Sequence, residues 1–236
     1  MSDAERASSV AVQPGLARRA VSESLATFAL VFAGCGAVIA NVEYDGVLGL
    51  LGIGLVFGLI ITAMIYATGH LSGAHINPAV TLAFTLTRHF PAREAAIYVG
   101  AQVVGAVVAA LVLVAVWPSQ PGDLGATVPS VGVGSALVYE IVLSAMLMFV
   151  VMAVATDTRA VGAAAAIAVG ATVGLDVLFG GAVSGGSMNP ARSFGPALVG
   201  GQWTDFWIYL VGPIVGAGAG ALAYQLIRGD SPRDSA

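Results

Sequence analysis

Charge is what this chain has least of. Acidic and basic residues make up 9% of its 236 residues, against about a quarter in an ordinary soluble domain. That shortfall excludes a normal water-facing surface. With 58% hydrophobic residues and a mean hydropathy of +0.91, it marks an integral membrane protein. Lysine is absent, so arginine supplies all the side-chain positive charge apart from histidine. A net charge of −4 is too small to argue for nucleic acid or any other charged partner. The single cysteine, Cys35, excludes an internal disulfide and reads as a buried thiol in an apolar helix. Histidines number only 3, too few for a metal-ligand cluster, and no apolar stretch pairs a nucleophile with a base. No enzyme activity, metal or cofactor is expected. Nor is a secretory leader, since residues 1–18 are polar and run into Arg18-Arg19 without a short apolar core and cleavage site.

What the chain does have is long apolar runs. Six of them supply about 20 helical residues each, enough to cross a ~30 Å hydrocarbon core. They lie near 20–40, 48–69, 94–116, 134–155, 161–180 and 205–227. The 31 glycines suit helices packed closely in lipid through small residues. Residues 1–19 and 228–236 read as disordered tails. The Pro- and Gly-rich segment 117–133 reads as an external loop.

Two polar phrases interrupt this apolar background, Ser72-Gly73-Ala74-His75-Ile76-Asn77-Pro78-Ala79 and Ser184-Gly185-Gly186-Ser187-Met188-Asn189-Pro190-Ala191-Arg192. They share Ser-Gly-x-x-x-Asn-Pro-Ala in one register. Asn followed by Pro starts a helix: Asn caps the first free N–H groups, and Pro fits a position that needs no donor. Each phrase continues as a short apolar helix, Pro78 to about Thr87 and Pro190 to about Val199. Ten helical residues cover ~15 Å, half a bilayer. These are half-helices rather than spans.

With six spans, every arginine except Arg192 falls on one side: Arg6, Arg18, Arg19, Arg88, Arg93, Arg159, Arg228 and Arg233. The positive-inside rule makes that side the cytoplasm and puts both termini there, in a multi-pass protein expected in the cell membrane. Glu43, Asp45, Asp123 and Asp205 fall on the other side. The halves also match: Ile97-Tyr98 with Gly105-Ala106 corresponds to Ile208-Tyr209 with Gly216-Ala217, and Glu23 to Glu140. Three spans per half is odd, so residues 20–116 and 134–227 form an inverted repeat. The half-helices then enter from opposite faces and meet N-terminus to N-terminus near the midplane.

Irregular backbone at membrane depth needs protein or water to satisfy it. The Gly-rich phrases therefore imply a wet path lined by carbonyls of Gly73, Ala74, His75, Gly185, Gly186 and Ser187. Asn77 and Asn189 aim N–H donors into it, unless they act as structural caps alone. The half-helix N-termini, each carrying about half a positive charge, oppose cations and protons there. Arg192 faces the same path, because an unpaired arginine in lipid costs ~2.5–3.5 kcal/mol or more. Glu23 and Glu140 are expected to support the re-entrant backbone by hydrogen bonds. His70 reads as a loop strut and His75 as pore lining. Asp176 stays open between facing the pore mouth, capping backbone and pairing with Arg192.

From Glu23 to Tyr224 the chain resembles the major intrinsic proteins, the aquaporins and aquaglyceroporins. The resemblance rests on Gly69 through Thr81, which contains His75-Ile76-Asn77-Pro78-Ala79, and on Gly185 through Gly195, which contains Asn189-Pro190-Ala191-Arg192-Ser193. It implies an all-α membrane fold of six transmembrane helices and two re-entrant half-helices, and a homotetramer with one pore per subunit. It also implies an aromatic/arginine constriction, whose positions fall on Phe57, Val177, Gly186 and Arg192. Strict water channels usually carry histidine where this chain has Val177, and a larger residue, or Cys or Thr, where it has Gly186. Glycerol channels usually carry aspartate where it has Ser193, and longer loop insertions. The combination is most similar to the nodulin-26-like branch. The function it implies is a passive channel for water and small uncharged solutes such as glycerol or metalloid hydroxides, excluding protons and ions. The alternatives are a strict water channel and, from another class, an ion-coupled secondary transporter using Glu23, Glu140 or Asp176. A junction-like protein with a closed pore is the remaining structural reading.

Overall fold

The computed structural model describes residues 14–157, 159–160 and 162–229. Among them every regular element is helical. Six helices are long and apolar enough to cross a membrane: α1 (Leu16–Glu43), α2 (Gly49–Ser72), α4 (Ala92–Val116), α5 (Val133–Thr156), α6 (Ala165–Ser184) and α8 (Ile208–Arg228). Two short ones lie between them, α3 (Pro78–Leu86) and α7 (Pro190–Gly200), of 9 and 11 residues. At 1.5 Å per residue these reach ~14–17 Å, half a bilayer.

Several boundaries depart from the sequence reading, each for a local reason. The proposed tail of residues 1–19 is too long, because α1 begins at Leu16; residues 1–13 lie outside the described residues. Arginine is a good helix former, and Arg19 is also partnered. Its guanidinium pairs with Glu94 of α4 at 2.8 Å and sits 5.9 Å from the Tyr98 ring centroid. At the other end α8 runs through Arg228, and 230–236 fall outside the described residues. Helices α2 and α6 extend to Ser72 and Ser184, further than the apolar runs suggested. Each stops at a glycine in the left-handed region, Gly73 at φ 88° and Gly185 at φ 90°. A glycine C-cap of this kind ends a helix without steric cost.

The repeat is visible in packing. Helix α1 packs on α4 as α5 packs on α8, and α2 packs on α6 across the two halves. Close approach is bought with missing side chains. A Cβ on Gly105 would overlap the Ser24 carbonyl of α1, and one on Gly216 the Ile141 carbonyl of α5. Between the halves, a Cβ on Gly58 would come within 2.7 Å of the Gly170 carbonyl, and one on Gly54 within 2.9 Å of the Gly174 carbonyl. In lipid, where tails are as apolar as leucine, such backbone proximity supplies much of the helix–helix attraction.

The connections are held as well. Arg159 forms a forked pair with Asp157 (Nε–Oδ1 2.8 Å, Nη2–Oδ2 2.5 Å) and donates to the Arg228 carbonyl at 3.1 Å. Tyr224 of α8 donates to Asp157 at 2.9 Å, so the α5–α6 connection is tied to the end of α8. Hydrogen bonds from Arg159 hold the Asp157 carboxyl well below the usual carboxylate range. This tether is present at neutral pH and is lost only as strong acid protonates it.

Replacing Gly216 by valine is expected to force α5 and α8 apart, since its Cβ would also stand 2.9 Å from the Ser144 Cβ. Overpacking of this kind costs about 1–3 kcal/mol. Thermal unfolding of the purified protein in detergent should show a lower midpoint for Gly216→Val than for a conservative change on the exposed face, such as Leu222→Val.

Candidate functional site

The site begins with two buried carboxylates. Glu23 of α1 and Glu140 of α5 are both fully buried. Glu23 accepts from the Ser72 hydroxyl at 2.7 Å, from the backbone N–H groups of His75 and Ile76 at 3.0 and 2.7 Å, and from Gln102 at 2.9 Å. Glu140 accepts from the Ser184 hydroxyl at 2.7 Å and from the N–H groups of Ser187 and Met188 at 2.9 and 2.8 Å. These donors have no helical partner, so without the glutamates they would be orphaned at membrane depth.

The direction of the carbonyls follows. In a trans peptide the N–H and C=O point opposite ways. Turning the His75 and Ile76 N–H groups toward Glu23 turns the Ala74 and His75 carbonyls away from it. The same holds for the Gly186 and Ser187 carbonyls relative to Glu140. The backbone that allows this lies in the left-handed region, with Ala74, Ile76, Gly186 and Met188 at φ 46°, 56°, 56° and 53°, easy for Gly186 and strained at the other three. For a β-branched residue such as Ile76 this region is a genuine outlier, sustained only where the surroundings over-determine it.

The asparagines close the arrangement. Asn77 Oδ1 accepts from the Ala79 N–H at 2.8 Å, and Asn189 Oδ1 from the Ala191 and Arg192 N–H groups at 3.0 and 3.3 Å. Both are N-caps with proline following. Their amide nitrogens are shared in a way the sequence did not suggest. Asn77 Nδ2 donates to the Met188 carbonyl at 2.8 Å, and Asn189 Nδ2 to the Ile76 carbonyl at 2.9 Å. Each asparagine therefore locks the opposite loop while capping its own half-helix. One N–H of each amide is committed to this lock.

A cavity of about 110 Å³ runs along this seam. A water needs roughly 10–15 Å³ of such space, so several fit. Its wall includes Gly73, Ala74, His75, Asn77, Ser187 and Asn189, and all of Phe57, Val177, Gly186 and Arg192. Those four positions, Phe57 more than a hundred residues from the other three, meet around one space. Arg192 is buried, and its Nη1 donates to the Gly125 carbonyl at 2.7 Å. Its guanidinium carbon lies 5.1 Å from the Phe57 ring centroid.

Other expected residues fall elsewhere. Gly185 does not line the cavity; it caps α6 and packs against Thr127. His70 is exposed on the last turn of α2, so it is no strut within the loop. His75 does line the cavity, its Nδ1 3.1 Å from the Thr81 hydroxyl and its ring against Phe84, Phe90 and Tyr98. Asp176 is fully buried outside the cavity wall, and neither carboxylate oxygen has a hydrogen-bond partner among the described residues. It does not pair with Arg192, and nothing in the structure explains its placement.

Sequence reasoning missed four supports. Tyr98 and Tyr209 donate to the Ser72 and Ser184 carbonyls at 2.8 and 2.6 Å, fastening the ends of α2 and α6. Their matched Ile-Tyr positions were the available signal. Gln102 bridges Glu23 and Thr81. Thr127, in the loop before α5, donates to Ser193 at 2.8 Å.

Two half-helices meeting tip to tip inside an inverted repeat, with a continuous cavity between their caps, define a membrane channel. Comparison with known proteins agrees. The family model for "Major intrinsic protein" matches residues 10–224. Aquaporin NIP1-4 of Oryza sativa subsp. japonica is 50% identical over 208 residues, 88% of this chain and 76% of that protein. Nodulin-26 of Glycine max is 44% identical over 224 residues, 95% of this chain and 82% of that protein. The aquaglyceroporin from Plasmodium falciparum superposes with a TM-score of 0.80 at 26% identity, covering 91% of this chain and 98% of that one. This chain belongs to the major intrinsic protein family, and it resembles the nodulin-26-like members within it. It is a multi-pass membrane protein and a passive channel for water and small solutes, not an enzyme.

Removing the Glu140 carboxylate orphans the Ser187 and Met188 N–H groups at about 1–3 kcal/mol for each buried donor left unpaired. Glu140→Ala should therefore lower the thermal midpoint in detergent more than Glu140→Gln, which keeps one carbonyl acceptor. Equal midpoints for the two variants would contradict the support role.

Proposed function

We propose that this channel carries small uncharged solutes of glycerol or metalloid-hydroxide size as well as water, and that it excludes protons and ions. The observation that supports this most is the composition of the ring formed by Phe57, Val177, Gly186 and Arg192 around the cavity. Val177 offers no hydrogen-bonding side chain, and Gly186 offers none at all. Two of the four positions are thus small or apolar, which suits a solute with a carbon backbone on one side and hydroxyls on the other. Arg192 supplies donors to those hydroxyls and the backbone carbonyls of Gly73, Ala74, His75 and Ser187 supply acceptors. Pore diameter and lining groups of this kind are the known determinants of selectivity in pores of this class, together with an arginine or half-helix dipoles that repel cations. Here both dipoles point their positive ends at Asn77 and Asn189. The spent N–H of each asparagine leaves one for the permeant.

The arginine-rich end, with Arg88, Arg93, Arg159 and Arg228, is read as cytoplasmic and the protein as resident in the cell membrane. Four copies, each with its own pore, form the assembly this reading expects. Cross-linking in native membranes tests the number of copies, and protease access to a tag on either terminus tests the sidedness.

The decisive experiment is stopped-flow light scattering of proteoliposomes under osmotic, glycerol, urea and arsenous acid gradients. Water and at least one of the solutes should permeate well above empty vesicles, with no dependence on proton or sodium gradients. Val177→His should keep water permeability and cut solute permeability by about tenfold or more, the scale on which a tight site rejects an ill-fitting group. Arg192→Ala should loosen selectivity. Permeability to water alone in the wild type would reject the wide-pore reading.

A further inference from the structure

Two residues of α1 stand directly behind the ring. Gly34 and Cys35 are both buried. A Cβ on Gly34 would overlap the Phe57 ring at Cε1 and Cζ and stand 2.7 Å from Cδ1. Phe57 therefore lies back into the space that the missing side chain vacates. Cys35 meets the other wall of the ring. Its Sγ receives a hydrogen bond from Arg192 Nη1 at 3.4 Å and lies 3.7 Å from the Gly125 carbonyl oxygen. That carbonyl is the one that accepts Nη1 at 2.7 Å. Gly125 sits at φ 73°, and a Cβ there would come within 2.8 Å of Cys35 Cα and Cβ. Nε of Arg192 has no partner among the described residues. The guanidinium is thus seated on one carbonyl, one sulfur and the face of Phe57, and all three rest on residues 34 and 35.

We propose that Gly34 and Cys35 are positioning residues that set the aperture of this channel from behind, without lining it. Gly34 decides how far Phe57 retracts. Cys35 decides where Arg192 rests. The two act on opposite walls through adjacent α1 positions, so the helix couples ring width to arginine reach. A thiol suits the second task because sulfur is a weak acceptor: it orients the guanidinium without neutralising it, as a carboxylate there would. The inference rests on reading the Phe57, Val177, Gly186 and Arg192 ring as the selective point.

The test compares glycerol and water permeability in the same vesicles for Gly34→Ala, Cys35→Val and Cys35→Ser. Gly34→Ala should push Phe57 toward the axis and lower the glycerol-to-water ratio by about tenfold, the lower end of what one methyl group does in a tight site. In a Phe57→Leu background the same substitution should leave the ratio where that background sets it, because the displaced ring is gone. Cys35→Val removes the acceptor and crowds the guanidinium, and should lower the ratio about threefold, what loss of one weak hydrogen bond is worth. Cys35→Ser keeps an acceptor and should hold the wild-type ratio. A merely structural role would lower water and glycerol together and would not depend on Phe57. Unchanged ratios in Gly34→Ala and Cys35→Val proteins that still pass water would overturn the proposal. A density map of Cys35→Val gives a readout independent of flux: displacement of Arg192 from the Gly125 carbonyl supports the proposal, and an unmoved guanidinium overturns it. Wild-type vesicles no more permeable than empty ones would instead overturn the channel reading itself.

Discussion

The unpaired backbone polar group at the centre of a membrane is the constraint on which this architecture depends. A half-helix that starts at the midplane leaves N–H groups with no helical partner, and hydrocarbon offers none. The asparagine caps take up the first of these, and Glu23 and Glu140 take up from behind those of the irregular loops that lead into the half-helices, four backbone donors between the two carboxylates. A buried carboxylate is itself expensive unless its lone pairs are filled, and here serine hydroxyls and, for Glu23, the Gln102 amide complete the set. Each group satisfies the other's cost. The reward is directional: with the N–H groups committed to the rear, peptide planarity turns the intervening carbonyls to the opposite side.

The asparagines convert two such loops into one object. Each caps its own helix and donates to the carbonyl of the other loop. The half-helices cannot drift apart without losing caps and cross-links together, so the seam between them has a fixed width. The strained φ values at Ile76 and Met188 are tolerable in that setting. Their carbonyls are the acceptors of the cross-link, and relaxing either residue would break it.

Much of this was legible in the residues. Six apolar runs gave the spans, and the duplicated Ser-Gly-x-x-x-Asn-Pro-Ala phrase gave the half-helices, because caps and proline have a local mechanism that needs no tertiary information. The paired Glu23 and Glu140 were legible for the same reason of symmetry. What escaped was long-range. The cross-links from Asn77 and Asn189 join residues more than a hundred positions apart, and no periodicity encodes them. The start of α1 was placed late because Arg18 and Arg19 look like a tail until Glu94 and Tyr98 are brought beside them. Gly34 and Gly105 look alike in the sequence. Only packing distinguishes a glycine that admits a neighbouring helix from one that admits the Phe57 ring.

The frame is symmetric, but the ring built on it is not, and the structure gives a physical reason. Gln102 in the first half, bonded to Glu23 and Thr81, has Pro213 as its counterpart in the second, counting from the matched Tyr98 and Tyr209. Proline cannot supply that side-chain bridge. Thr27 likewise bonds backbone in the first half, whereas Ser144, its counterpart counted from the glutamates, has no hydroxyl partner among the described residues. The second half draws its missing support from the loop between α4 and α5 instead. Thr127 reaches Ser193, Ser193 reaches Ser187, and the Gly125 carbonyl holds Arg192. A loop can lend carbonyls and hydroxyls at positions a helix cannot offer: residues 117–132 hold Ser193 and Arg192 of α7, and the same Gly125 carbonyl also accepts from Cys35 of α1. On α7 the buried guanidinium finds a fixed acceptor in the Gly125 carbonyl while keeping a face toward the cavity.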